Sequence, residues 1–219
     1  MASHNILRWR DGRGWLVLAG SSEDSTEVRA QAIGRMAADG GVAYVSLGNY
    51  DDWSEKTLAD MDDLGAPPGY IVDALTEDDQ TLLARLSEAA LIVIEDAPDV
   101  ENLRSGLMGA AASGMQAAFE NGAVILAEGW GAMVLGAWVV RPDGAIVSGL
   151  EWLADALVVP GITSVGQSEP ARIMFNEQPS ALAVGIGSGS ALAFGPDGEV
   201  EPWGQQQVTV ALGPEFRSL

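Results

Sequence analysis

The chain has 219 residues, 47% of them hydrophobic and 19% charged, a length and balance that exclude a disordered chain and allow a sizeable core. Its 31 acidic residues outnumber 11 basic ones, and the formal net charge of −20 repels phosphate backbones and so excludes nucleic acid as an expected partner. We interpret the acidic surplus as a solubilising surface, with a cationic partner as the alternative.

Two residue counts restrict the chemistry further. The chain has no cysteine, which excludes disulfides, thiolate metal sites and a thiol nucleophile. Its single histidine is His4, in a polar N-terminal stretch without the apolar core of a signal peptide, so we expect a cytoplasmic protein. Residues Gly122–Val140 are nearly uncharged, but Glu128 at their centre argues against a membrane span.

Short apolar runs alternate with segments of helical period, which predicts a mostly parallel sheet flanked by helices. The predicted strands are Trp15–Gly20, Val42–Leu47, Tyr70–Val72, Ala90–Ile94 and Ala123–Ala127. The first predicted helix begins at Ser25. The others span Trp53–Asp63, Glu77–Glu88, Val100–Glu120 with a break near Gly106, and Ala132–Val139.

The pattern changes beyond residue 140. Turn sequences at Arg141–Gly144 and Gly195–Gly198 predict hairpins, and Gln207–Leu212 predicts a closing strand. The fold class is therefore α/β, with a hairpin-rich C-terminal part. We expect one domain over residues 1–219, in which residues 1–14 form a poorly ordered or peripheral segment.

The segment Ala127–Met133 is the most informative part of the sequence. Its Gly129-Trp130-Gly131 turn follows a buried strand directly and leads into a helix, so Gly129 is predicted to lie at a sharp strand–helix corner. Such a corner is the geometry of a nucleophile elbow, where helix N–H groups can stabilise an oxyanion.

The stretch Leu91–Gly136 resembles the core of cyanophycinases and dipeptidase E-like serine peptidases, which have a class I glutamine amidotransferase-like fold. The resemblance rests on the order of a buried strand at Ile92–Ile94, a helix ending in Ala117–Glu120, and the corner before Gly131-Ala132. The opening strand and turn at Leu16–Asp24 are also similar to that family.

At the positions where the resemblance implies catalytic groups, this sequence has other residues. The family's serine falls on Gly129, its histidine near Gly161, and its Gly-Gly loop on Glu95-Asp96-Ala97-Pro98. The family's Gly-Ile-Gly-Ile-Asp-Glu segment aligns with residues 183–188, which end in Ser188 and lack the acids. The resemblance therefore implies a degenerate member in which Gly129, Gly161 and Ser188 are vestigial positions.

Three carboxylates are predicted to converge at the carboxyl ends of the strands, where open α/β sheets bind ligands. With Trp130 and Ser188, the acids Glu95, Asp96 and Glu128 form the candidate pocket. The same three acids are weak candidates for a divalent-cation site, although solvated loop acids in an acid-rich protein explain them more simply. No metal or cofactor is predicted.

The function that follows is a catalytically inactive homologue that binds a protein or peptide through a degenerate pocket or a surface. The alternative is a hydrolase that uses the carboxylate cluster, with or without a metal, on Asp-containing peptides. The sequence names no partner, and its apolar surplus is compatible with a homo-oligomer.

Overall fold

The computed structural model describes residues 6–37, 39–47, 52–97 and 99–217. The strands are β1 (Arg8–Trp9), β2 (Trp15–Ala19), β3 (Val42–Ser46), β4 (Gly69–Asp73), β5 (Leu91–Ile94), β6 (Val124–Glu128), β7 (Gly136–Val140), β8 (Ile146–Ser148), β9 (Leu153–Pro160), β10 (Leu182–Ile186), β11 (Ser190–Phe194), β12 (Val200–Gly204) and β13 (Val208–Leu212). The helices are α1 (Thr26–Gly34), α2 (Asp52–Asp63), α3 (Asp79–Ser87), α4 (Val100–Gly106), α5 (Ala110–Glu120), α6 (Trp130–Val134) and α7 (Glu169–Glu177), with one 3-10 turn at Val165–Gln167.

The larger sheet has seven strands in the order β12-β11-β2-β6-β5-β3-β4. Its five strands from β2 to β4 are parallel, and β11 and β12 extend it as an antiparallel hairpin. The strands β2, β3, β5 and β6 are buried along their whole length. Their apolar sequences, in which the one charged residue is Glu128 at the end of β6, predict this burial for a sheet covered on both faces. The mostly parallel α/β sheet expected from the sequence is confirmed.

Because these five strands run parallel, their carboxyl ends meet at one edge of the sheet. The residues that follow β2, β5 and β6 are Gly20 with the turn after it, the pair Glu95-Asp96 and the corner Gly129. The fold therefore brings together the three segments on which the candidate pocket depends.

A second sheet of six strands was not predicted. Its order is β13-β10-β9-β7-β8, with β1 paired to β9. One apolar cluster runs through both sheets, because it contains Leu16 and Leu18 of β2 together with Val158 of β9 and Val184 of β10. The predicted hairpins are present as β7–β8 and β11–β12, and the predicted closing strand is β13.

Two sequence predictions are wrong in detail. The helix expected at Ala132–Val139 ends at Val134, and β7 begins at Gly136, because the aromatic and β-branched residues Trp138 and Val139 favour a strand. The segment preceding β2 is also less peripheral than predicted, since β1 pairs with β9 and Leu7 is buried; residues 1–5 lie outside the described residues.

No helix within the described residues is long and apolar enough to cross a membrane. The stretch Gly122–Val140 instead forms β6, the short helix α6 and β7.

Candidate functional site

The strand–helix corner predicted at Gly129 is present. β6 ends at Glu128, α6 begins at Trp130, and Gly129 between them has φ +51° and ψ −118°. Its N–H donates to the carbonyl of Ala19 at 3.0 Å, which fastens the corner to the end of β2. Only glycine adopts this backbone conformation at low cost, so the geometry of the corner explains why position 129 is a glycine.

The carboxylate of Asp96 lies directly on this corner. Its Oδ1 accepts a hydrogen bond from the backbone N–H of Trp130 at 2.9 Å, and its Oδ2 accepts from the N–H and the hydroxyl of Ser22, both at 3.3 Å. A Cβ atom placed on Gly129 would fall far inside van der Waals contact with the Asp96 carboxylate. Asp96 therefore occupies the space that a side chain at position 129 would fill.

This arrangement gives the carboxylate the surroundings of a bound anion. It accepts from two backbone N–H groups and one hydroxyl, and hydrogen bonds to an ionised acceptor are stronger than those between neutral groups. The first N–H of α6, which at such a corner can donate to an oxyanion, is engaged by a group from the same chain.

Glu128 forms a buried ion pair with Arg29. Arg29 Nε and Nη2 donate to the two carboxylate oxygens of Glu128, each at 2.8 Å. The Glu128 side chain is fully buried, and that of Arg29 is 5% exposed. Arg29 also approaches Asp60 at 3.5 Å and donates to the carbonyl of Ser22 at 3.3 Å, so the pair ties α1 and α2 to the end of β6.

The ionisation of this pair follows from its burial. Desolvation raises the pKa of Glu128 above its ordinary value and outweighs the opposing effect of Arg29, and the charge of Asp96 acts in the same direction as burial. Burial also lowers the pKa of Arg29, but hydrogen bonding to Glu128 and the charges of Glu128 and Asp60 outweigh it and raise this pKa. The guanidinium on both oxygens of Glu128 opposes the effect of burial on this acid, because it favours the charged form of Glu128.

The third predicted acid, Glu95, has a different contact. It is partly buried, and its Oε1 accepts from the N–H of Leu47 at the end of β3 at 2.9 Å. The three acids thus follow neighbouring strand ends but bind three different parts of the chain. Across the described residues, no group of three or more acidic or histidine side chains is arranged to hold a metal ion.

Apart from the backbone N–H of Trp130, which donates to Asp96, the remaining predicted site residues lie outside this hydrogen-bond network. Ser188 is exposed in the turn between β10 and β11, which packs against Gly20 through the carbonyl of Gly187. Gly161 is exposed directly after β9, with φ +70°. Trp130 is partly buried against the apolar core. His4 falls outside the described residues.

Sequence reasoning missed Arg29 and Ser22. Arg29 stands three and four residues before Ala32 and Ile33, a spacing that places its cation on the apolar face of α1. That spacing was the available signal, but its partner Glu128 is 99 residues away. Ser22, which contacts Asp96, carries no such signal.

An open cavity of about 340 Å³ adjoins the buried ion pair. Its lining is polar and comes from the loop after β2, the first turn of α1, and the face of α2 that carries Lys56, Thr57 and Asp60. Arg29 is one of its lining residues, so this cavity lies next to the candidate site.

The chain was compared with known proteins. No protein-family profile matches the sequence, and no curated protein matches it. Among solved structures, it is similar to a peptidase from an acI-B1 Actinobacterium, with a TM-score of 0.72, 19% identity and 95% of each chain covered. It is also similar to a putative peptidase E protein from Listeria monocytogenes EGD-e, with a TM-score of 0.64 and 14% identity over 86% of this chain and 97% of that one. The chain therefore has the two-sheet α/β fold of peptidase E-like proteins.

Proposed function

We propose that this chain is a non-catalytic homologue of the cyanophycinase and dipeptidase E-like peptidases, and that it acts as a binding or scaffold protein. The proposal depends on one observation: the Asp96 carboxylate fills the space beside Gly129 and accepts the N–H of Trp130. In a serine peptidase, that space and that N–H serve the nucleophile and the oxyanion.

The chemical requirements of acyl transfer support the proposal. Position 129 is a glycine and supplies no nucleophile, and the single histidine of the chain is His4. Removal of the nucleophile or the base alone reduces kcat by about 10⁶-fold in a serine protease. An anion already bound at the corner also opposes the negative charge that develops on a tetrahedral intermediate.

The carboxylate-based hydrolase, which is the alternative, has weaker support. Both oxygens of Glu128 are hydrogen-bonded to Arg29, and both oxygens of Asp96 accept hydrogen bonds. A general base or metal ligand needs a free lone pair directed at the substrate or ion. The alternative would have to displace one of these contacts or act through Glu95, whose Oε1 itself accepts from the N–H of Leu47.

The polar cavity beside Arg29 supports a binding role. It lies at the strand-end edge of the sheet, where α/β folds bind their ligands, and both hydroxyl and charged side chains line it. None of the five residues of the candidate pocket lines this cavity. We propose that a peptide or protein segment binds at the degenerate pocket, in this neighbouring cavity or on the surface around them, without being cleaved.

The test is amino-acid release from Asp-containing dipeptides, β-aspartyl peptides and cyanophycin, with and without Mg²⁺, Ca²⁺ or Zn²⁺. An active serine homologue runs alongside as the positive control, and Asp96→Asn and Glu95→Gln serve as matched variants that keep side-chain shape. We expect no release above background from the wild-type chain. Release that disappears in Glu95→Gln would overturn the proposal in favour of carboxylate chemistry.

A further inference from the structure

The strand β13 forms one edge of the six-stranded sheet, and its outer side is unpaired within the described residues. The N–H of Gly213 donates to Ala181 at 2.9 Å and the carbonyl of Gln207 accepts from Gly187 at 2.8 Å, so the odd-numbered residues of this strand face β10. In an antiparallel pair the residues alternate, and the backbone groups of Val210 and Leu212 therefore point away from the sheet.

The side chains of this edge are apolar and exposed. Val210 is 42% exposed and Leu212 is 49% exposed, and both lie on the same face because they are two residues apart. The strand reads Val-Thr-Val-Ala-Leu, with no charge, no proline and no bulge in its register with β10. Charged side chains, proline, bulges and very short strands are the devices by which proteins prevent an edge strand from pairing with another chain, and β13 has none of them.

Within the described residues, each of the other sheet edges carries such a device. β12 contains Glu201 and Pro202, and β8 and β1 have only three and two residues. On β4, the side chain of Arg85 donates to the backbone carbonyl of Ile71 at 2.6 Å. β13 is thus the edge that the fold leaves open to pairing.

We propose that β13 pairs antiparallel with β13 of a second copy of this chain, around a two-fold axis at Val210, and joins the two six-stranded sheets. An antiparallel edge is self-complementary under a two-fold rotation, so identical strands satisfy each other's backbone groups. The proposal is independent of what the corner at Gly129 does.

The charge pattern identifies a second copy as the occupant. A net charge of −20 opposes self-association, and it opposes it least at a surface that brings no acids together. The 13 residues from Pro202 to Pro214 carry no charge. Centred on Val210, the pairing places Glu215 opposite Gln205, so the first acid beyond the strand faces an amide.

The test is the molecular mass in solution over a range of concentrations, by sedimentation equilibrium on the full chain. We expect a concentration-dependent species of twice 22.8 kDa. Val210→Glu places two carboxylates opposite each other. Because like charges directly opposite each other repel, it should weaken the dimer about tenfold or more, and a tenfold change corresponds to about 1.4 kcal/mol. Leu83→Glu is the matched control, since Leu83 is 43% exposed on α3 and adds the same charge away from this edge; it should leave the dimer intact.

A second measurement tests the register. Because the chain has no cysteine, Val210→Cys introduces a single thiol, and mild oxidation should join two copies through it. Hydrogen-bonded residues that face each other across an antiparallel pair have Cα atoms about 5.5 Å apart, a separation that a disulfide spans. A wild-type chain that stays monomeric, or a dimer that Val210→Glu and Leu83→Glu weaken equally, would overturn the proposal.

Discussion

Replacement of Gly129 by alanine tests whether Asp96 occupies the corner. Two costs follow from the geometry. A non-glycine residue at φ +51° costs about 1–3 kcal/mol in backbone strain. The new Cβ also displaces the Asp96 carboxylate from the N–H of Trp130, and loss of a hydrogen bond to a charged group costs about 1.5–3 kcal/mol. We therefore expect Gly129→Ala to destabilise the fold by about 2.5–6 kcal/mol in total.

The chain contains a matched control for the strain alone. Gly109, at the start of α5, has φ +63° and ψ −121°, close to the values of Gly129. A Cβ atom on Gly109 has no neighbour within 4 Å, so Gly109→Ala should show only the backbone cost, about 1–3 kcal/mol.

Urea denaturation of a double-mutant cycle separates the two contributions. In an Asp96→Ala background, Gly129→Ala should cost only what Gly109→Ala costs, because the carboxylate is no longer there to be displaced. The coupling energy between positions 96 and 129 should then be about 1.5–3 kcal/mol. Additivity within about 0.5 kcal/mol would refute the conclusion that Asp96 fills the space at the corner.

Two further predictions concern ionised groups. Arg29→Met leaves the buried carboxylate of Glu128 unpaired and should destabilise the fold by about 3–5 kcal/mol in urea denaturation. The double variant Arg29→Met/Glu128→Leu should be less destabilised than Arg29→Met alone. A double variant whose loss of stability equals the sum of the two single losses would contradict a coupled pair. At the start of α3, hydrogen bonds from Thr81 and Gln80 lower the pKa of Asp78, so its stabilising effect is full above the ordinary aspartate pKa and is lost as the pH falls through the lowered value. The difference in Tm between the wild type and Asp78→Asn should follow this pH dependence, and a difference that grows on acidification would contradict it.

The sequence predicted the large sheet and the corner because both depend on local patterns. Buried parallel strands read as uncharged apolar runs, as in Leu16–Ala19 and Val124–Ala127. The corner follows from a glycine placed where such a run ends and a helix begins. Neither inference needs information from distant parts of the chain.

The second sheet and the ion pair could not be predicted in the same way. β9 carries Asp155 among its apolar residues, which interrupts the alternation that identifies a strand. The spacing of Arg29 places it on the apolar face of α1, but the sequence does not show which acid pairs with it, because Glu128 is 99 positions later. The opposite charge of Glu128 offsets the cost of burying the guanidinium. Both features are set by tertiary pairing.

If the chain is a non-catalytic homologue, as we propose, the contact between Asp96 and Gly129 links two sequence differences that lie far apart in the chain. A serine at position 129 and a carboxylate at position 96 compete for the same space and for the same Trp130 N–H. A Gly-Gly loop at positions 95 and 96, of the kind that the resemblance implies, leaves that space open for a serine. Asp96 and Gly129 are therefore a matched pair, because each is the residue that the other allows. It follows from the proposal that Gly129→Ser alone cannot rebuild the nucleophile site, since the serine side chain would meet the carboxylate that stabilises the corner.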